Sequence, residues 1–124
     1  MTPTELLKRY GDGQRDFREA DLTGANLTRA CLHGVTLTGA TLTGATLTDA
    51  KLYDAYLSHA DLYGATLVRA NLTRAKLNKA YLTDAPLNDA TLTGASLYGA
   101  SLTGANLNGA DLTGANLNLS LIHI

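Results

Sequence analysis

The apolar positions along this chain of 124 residues recur every five residues. From Ala20 the sequence reads ADLTG, ANLTR, ACLHG, VTLTG, ATLTG, ATLTD, AKLYD, AYLSH, ADLYG, ATLVR, ANLTR, AKLNK, AYLTD, APLND, ATLTG, ASLYG, ASLTG, ANLNG, ADLTG and ANLNL. One more unit, RDFRE at 15–19, precedes them with Phe17 in the Leu slot, which makes 21 units over residues 15–119. The third position is otherwise always Leu, and the first is Ala everywhere except Arg15 and Val35. A period of five matches neither an amphipathic helix at 3.6 nor a strand at 2.0. Ala-x-Leu spaces two apolar side chains by two, as on one face of a short extended segment. The next Ala lies three residues on, so the extra residue turns the chain. The pattern predicts a tightly wound β-solenoid with Leu and Ala inside. The number of sides does not follow from the period.

Tandem A-(D/N)-L-x-x over residues 15–119 resembles the pentapeptide-repeat family. That resemblance implies an all-β fold, a right-handed quadrilateral β-helix of four units per coil and about five coils. At about 4.8 Å per coil the tube would be about 25 Å long. The second position departs from the family pattern: Asp or Asn stands only at Asp16, Asp21, Asn26, Asp61, Asn71, Asn106, Asp111 and Asn116. Elsewhere it is Thr, Ser, Tyr, Lys, Cys or Pro86.

The fourth and fifth positions should form the corners. A type II turn needs positive φ at its second central residue, which Gly accepts without strain. Gly holds the fifth position in ten units, whereas the middle of the chain has residues such as Arg69, Arg74 and Lys79 there. A wider turn, without positive φ, is therefore expected in the middle coils.

Both ends of a solenoid must be closed. Residues 1–14 predict a cap: Thr2-Pro3-Thr4-Glu5 matches a capping box with Pro3 at the first helical position, Leu6, Leu7 and Tyr10 share a face, and Gly11 can end the helix. The segment ELLKRYGDGQRDFREADLTGANL also resembles the start of cyanobacterial-type members of the family. Residues 120–124 break the repeat as an apolar tail, open to three readings: a cover that seals the last coil and leaves a monomer, a contact for a second chain, or a scar of truncation or cloning. Leu102, Leu107, Leu112 and Leu117 would lie beneath Leu119, Leu121, Ile122 and Ile124. A homodimer is expected, if one forms, through Leu112, Leu117, Leu121 and Ile122, because open edges and apolar ends invite pairing.

Composition narrows the chemistry. A formal charge of −1 with 17% charged residues fits neither a basic nucleic-acid binder nor a strongly acidic surface. No apolar run approaches a membrane span. The opening MTPTELLKRYGDG has no signal-like apolar core, and Cys31 is the lone cysteine, so a cytoplasmic chain is expected. Cys31 and His33 share an outer strand, but Asp12, Asp16 and Lys51 do not complete a metal set, and no cofactor is expected. No Ser-His-Asp set converges, so an enzyme is not expected.

A coil of 20 residues makes n, n+20 and n+40 vertical neighbours. Arg29, Asp49, Arg69 and Asp89 then form a ladder of alternating charge. Another side gathers Tyr56, His59, Lys76, Lys79 and Tyr98, the mix of exposed tyrosine and cation that binding surfaces use. Tyr53, Tyr63 and Tyr81 fall on other sides. The four Thr-Leu-Thr segments fall on four different sides, so no threonine ladder of the ice-binding kind forms.

These features predict a non-catalytic structural or protein-interaction module. The resemblance also brings in DNA-mimicking protectors of topoisomerases such as gyrase. Seven Asp against six Lys or Arg over residues 20–119 do not supply the acidic surface that role implies. A regularised or engineered model repeat is a third reading, opposed by the irregular middle coils.

Overall fold

The structure is a computed structural model that describes residues 1–122. His123 and Ile124, assigned above to the tail, lie outside the described residues. From Asp16↔Thr36 to Ser101↔Leu121, every β-bridge is parallel and joins residues 20 apart. Each coil thus contains four five-residue units. Leu22, Leu42, Leu62, Leu82 and Leu102 therefore lie one above another, each 1% exposed or less.

Hydrogen bonding explains why a side so short is stable. In a representative unit, Leu62 N–H donates to Tyr81 O at 2.8 Å and Gly64 N–H to Thr83 O at 2.9 Å. Tyr81 N–H donates back to Ala60 O at 3.0 Å, and Ala65 N–H closes the corner onto Leu62 O at 3.0 Å. That leaves the fourth-position N–H. Asp16, Asp21, Asn26, Asp61, Asn71, Asn106, Asp111 and Asn116 each accept it through Oδ1, at 3.0–3.2 Å. All eight carboxyl or amide side chains at the second position thus make the same turn contact, two residues on. Among the described residues, no such bond forms where Thr, Ser, Tyr, Lys or Cys stands there.

The corners correct the expectation of two turn types. Positive φ runs through every fifth position: 57° at Arg69, 58° at Arg74 and 59° at Lys79, beside 62° at Gly64. The coil network overrides local preference. From Glu19 to Gly99 each fifth-position N–H is tied to the next coil, as Lys79 N–H is to Tyr98 O at 2.8 Å, and the residue that follows closes each turn. A wider turn would break both bonds, whereas the left-handed conformation costs about 1–2 kcal/mol per residue.

Helix α1, Pro3–Gly11, closes one end. Thr2 Oγ1 accepts from Glu5 N–H at 3.1 Å and donates to Glu5 Oε1 at 3.3 Å. Leu6 is fully buried and Tyr10 nearly so, in one apolar cluster with Phe17, Leu22, Leu27 and Leu32. Two details differ from the sequence reading. Leu7, about 100° round the helix from Leu6, is 39% exposed. The helix ends not through Gly11 but through Gly13, at φ 100°. Gly13 N–H bonds Tyr10 O and Gln14 N–H bonds Arg9 O, both at 3.0 Å, which is the Schellman pattern.

The other end is built differently. Leu107, Leu112 and Leu117 are only partly buried. Ser120-Leu121-Ile122 does not leave the tube: Leu121 bridges Ser101, and its N–H reaches Ala100 O at 2.9 Å. Ile122 thereby takes the position a repeat Leu would hold, while Leu121 points outward, 58% exposed. An open depression of about 580 Å³ is lined here by Gly104, Ala105, Leu107, Leu112 and Ile122, with Asn106 and Asn108 at its rim.

Candidate functional site

The four sides carry unlike surfaces. Tyr56, His59, Lys76, Lys79 and Tyr98 lie on one side, as the 20-residue coil requires. Tyr56 bridges Lys76, which in turn bridges Ser96. His59 N–H bonds Asn78 O at 3.0 Å and Lys79 N–H bonds Tyr98 O at 2.8 Å. The backbone therefore holds the five residues on three consecutive coils of a rigid sheet. All five are exposed, Tyr56 at 49% and Tyr98 at 40%. Between them the Ser96 hydroxyl bonds the Asn78 side-chain oxygen. Lys76 Nζ reaches only the Arg74 carbonyl, at 3.4 Å. Among the described residues, no carboxylate lies within ion-pair distance of Lys76 or Lys79.

Three arginines are disposed otherwise. In the charge ladder, Arg69 grips Asp49 through two bonds of 2.8 and 3.1 Å. Those bonds hold the Asp49 carboxyl below its usual range, with smaller help from the charges of Arg69 and Arg29. A second pair of the same kind, Arg74 with Asp54 at 2.9 and 3.2 Å, was equally available from the 20-residue spacing but was not picked out above. Hydrogen bonds from Arg74 lower the Asp54 pKa as well. Arg18 binds Asp16 within one unit, at 2.8 Å.

A cluster that the sequence reading missed lies under α1. The Arg15 guanidinium sits 3.7 Å from the Tyr10 ring centre. The Tyr10 ring meets His33 edge-on at 6.0 Å, and His33 stacks flat on Tyr53 at 4.9 Å. The Tyr10 hydroxyl donates to His33 O at 2.7 Å. Burial pushes the Tyr10 hydroxyl pKa up, while Arg15 draws it down. The 20-residue spacing stacks His33 on Tyr53; docking of Tyr10 depends on how the helix lies and has no sequence signal. His33, paired above with Cys31 as a weak metal set, is thus engaged in aromatic packing, while Cys31 is an exposed thiol. Among the described residues, no three His, Cys, Asp or Glu side chains converge as a metal set would.

A parallel β-helix of five-residue units defines a solenoid class whose surface, rather than an enclosed cavity, is available for recognition. The chain belongs to the pentapeptide-repeat family: the model for pentapeptide repeats, in eight copies, matches residues 16–39, 50–89 and 80–118. Among solved structures, the chain is similar to HetL, a pentapeptide repeat protein involved in heterocyst differentiation regulation from the cyanobacterium Nostoc sp. strain PCC 7120. The identity is 26%, covering 98% of this chain and 94% of HetL, with a TM-score of 0.53. It is also similar to a pentapeptide repeat protein of the Arabidopsis thaliana thylakoid lumen, at 25% identity, 89% and 67% coverage and a TM-score of 0.54. QnrB1, a plasmid-mediated fluoroquinolone resistance protein, shares the fold at 19% identity, with 86% and 62% coverage and a TM-score of 0.63. A comparison with curated protein sequences gives no match. These neighbours make the coil a right-handed β-helix, the hand that parallel crossovers adopt. Proteins of this family are generally structural or interaction modules rather than enzymes.

Proposed function

We propose that the chain is a non-catalytic interaction module, a rigid four-sided β-helix of about five coils that presents side chains at fixed spacing to a partner protein. The observation that supports it most is the side carrying Tyr56, His59, Lys76, Lys79 and Tyr98, where cations without carboxylate partners stand among exposed tyrosines. Elsewhere on the coils, Arg18, Arg69 and Arg74 are paired with carboxylates, while Arg29 and Lys51, among the described residues, also have no carboxylate within ion-pair distance. The similarity to HetL gives a regulatory setting for such a module. In this reading the chain works in the cytoplasm, without cofactor, nucleic acid or membrane.

The C-terminal end is the second element of the proposal: a homodimer through Leu112, Leu117, Leu121 and Ile122. Those residues present apolar surface beside coil edges that are unpaired among the described residues, and a second copy stacked there would continue the core. Light scattering should give a dimer mass for the full chain and a monomer mass for Leu121→Asp with Ile122→Asp. A dimer that survives both substitutions would place the interface elsewhere.

The module reading is tested by capture from extract of the source organism, with the full chain and a Tyr56→Ala, Tyr98→Ala variant as baits. A partner retained by the first and lost by the second supports it. Equal capture by both baits, or none, overturns it. A gyrase supercoiling assay tests the DNA-mimic reading. No inhibition at micromolar concentration is expected from a surface of net charge −1.

A further inference from the structure

Charge is distributed unevenly among the four sides. Residues 20–24, 40–44, 60–64, 80–84 and 100–104 make one side, with Asp21, Asp61 and Asp84 and no Lys or Arg. The adjoining side holds the candidate site, and above its first unit it has Lys76, Lys79 and His59 and no carboxylate. His59 and Lys79 occupy the corner between the two. At the opposite corner Arg74 and Asp54 form an ion pair, and the charge of Lys76 acts on the same carboxylate more weakly. The cationic strip is therefore one side wide, bounded by an acidic side and a neutral pair.

From this we infer that the site takes an extended acidic segment of a partner protein, a deepening that rests on the reading of this side as the partner surface. Each polar head in the site can donate: the Lys76 and Lys79 ammoniums, the two tyrosine hydroxyls and the His59 ring N–H. A carboxylate only accepts, so Asp or Glu side chains complement the set. Width selects among anions. One side is about 10 Å across, three residue steps, and the site is about 10 Å tall, two coil steps. A single peptide strand fits inside that frame. A nucleic-acid duplex is wider and would lay phosphates over Asp61 and Asp84. A second copy offering its own acidic side would bury one narrow side only, well short of the roughly 800 Å² per partner of a stable interface.

The test uses the full chain, labelled with ¹⁵N and titrated with a hexaglutamate peptide at low salt. Amide shifts should concentrate at Tyr56, His59, Lys76, Lys79 and Tyr98, and fade as salt screens the charges. Lys76→Glu with Lys79→Glu, both at exposed positions, should weaken binding about tenfold or more. Duplex DNA should bind more weakly than the peptide. Asp61→Asn with Asp84→Asn should strengthen DNA binding more than peptide binding, since the wider ligand lies over both carboxylates. Absence of shifts at these amides, indifference to the Lys substitutions, or DNA binding as tight as the peptide would each overturn the inference. So would self-association that the Lys substitutions abolish. A captured partner that depends on Tyr56 and Tyr98 but has no acidic segment would overturn this inference and leave the module reading standing. Failure of capture itself would strike the module reading instead.

Discussion

The two ends of the tube are made from the same repeat and meet solvent in opposite ways. At the N-terminal end, α1 lays Leu6 and Tyr10 over the first layer, and Phe17, Leu22, Leu27 and Leu32 are each 3% exposed or less. At the C-terminal end, Leu107, Leu112 and Leu117 occupy equivalent positions and remain partly exposed, although Ile122 begins another coil. Inside the tube, each layer is sealed by the layers above and below, so burial is a property of neighbours rather than of the unit. A coil whose outer neighbour is missing loses that seal, and only a separate element such as α1 restores it.

The largest effect should separate the middle from the open end. Leu62→Ala should cost about 2–5 kcal/mol, because a closed layer cannot collapse around the gap. Leu112→Ala should cost about 1 kcal/mol, since that side chain is already partly hydrated. Urea unfolding of both variants measures the difference, and equal losses would mean that the last coil is sealed after all. Next comes the cap. Tyr10→Ala removes the ring packed between Arg15 and His33 together with the bond to His33 O. It should cost about 3 kcal/mol. Hydrogen exchange should then quicken first at residues 17–36 and last at residues 80–100. Uniform quickening would show that the tube opens as one unit, with no distinction of ends.

Corners give a smaller contrast. The C-terminal coils turn on Gly94, Gly99, Gly104, Gly109 and Gly114, whereas the middle coils hold Arg69, Arg74 and Lys79 at positive φ. Lys79→Gly should therefore stabilise the chain by about 0.5–1 kcal/mol, less the added freedom of the unfolded chain. Loss of stability would show that the lysine stem packs on the coil. The smallest effect is acid sensitivity. Hydrogen bonds lower the pKa of Asp49 and Asp54 from 3.8 in the middle coils, and of Asp21 and Asp111 towards the ends. A lowered carboxylate adds stability above its unfolded value, and that contribution disappears as pH falls through the folded value. Stability should thus decline below about pH 4. Arg69→Gln with Arg74→Gln should flatten the part of the decline that belongs to the middle coils, as thermal unfolding between pH 2 and 6 would measure.

Much of this protein was legible before any coordinates. A five-residue period has one packing solution with Leu and Ala inside, and its family resemblance supplied the coil length that placed Tyr56, Lys76 and Tyr98 on one side. Capping at Thr2 was legible too, because the bond to Glu5 N–H is local. Corner geometry was not. Local sterics argued against positive φ at Arg69, Arg74 and Lys79, and hydrogen bonds to the coils above, 19 residues away in sequence, impose it at each. Nor was the role of the eight Asp and Asn side chains legible, since their common partner, the fourth-position N–H, is left over only after the other donors are assigned. The sequence by itself determined the period and the core, and the coil length that the resemblance implies then set which side chains share a side. Tertiary structure alone decided the corners, the seat of Tyr10 against His33, and the inequality of the two ends. Each of these depends on a neighbour in space that no five-residue unit contains.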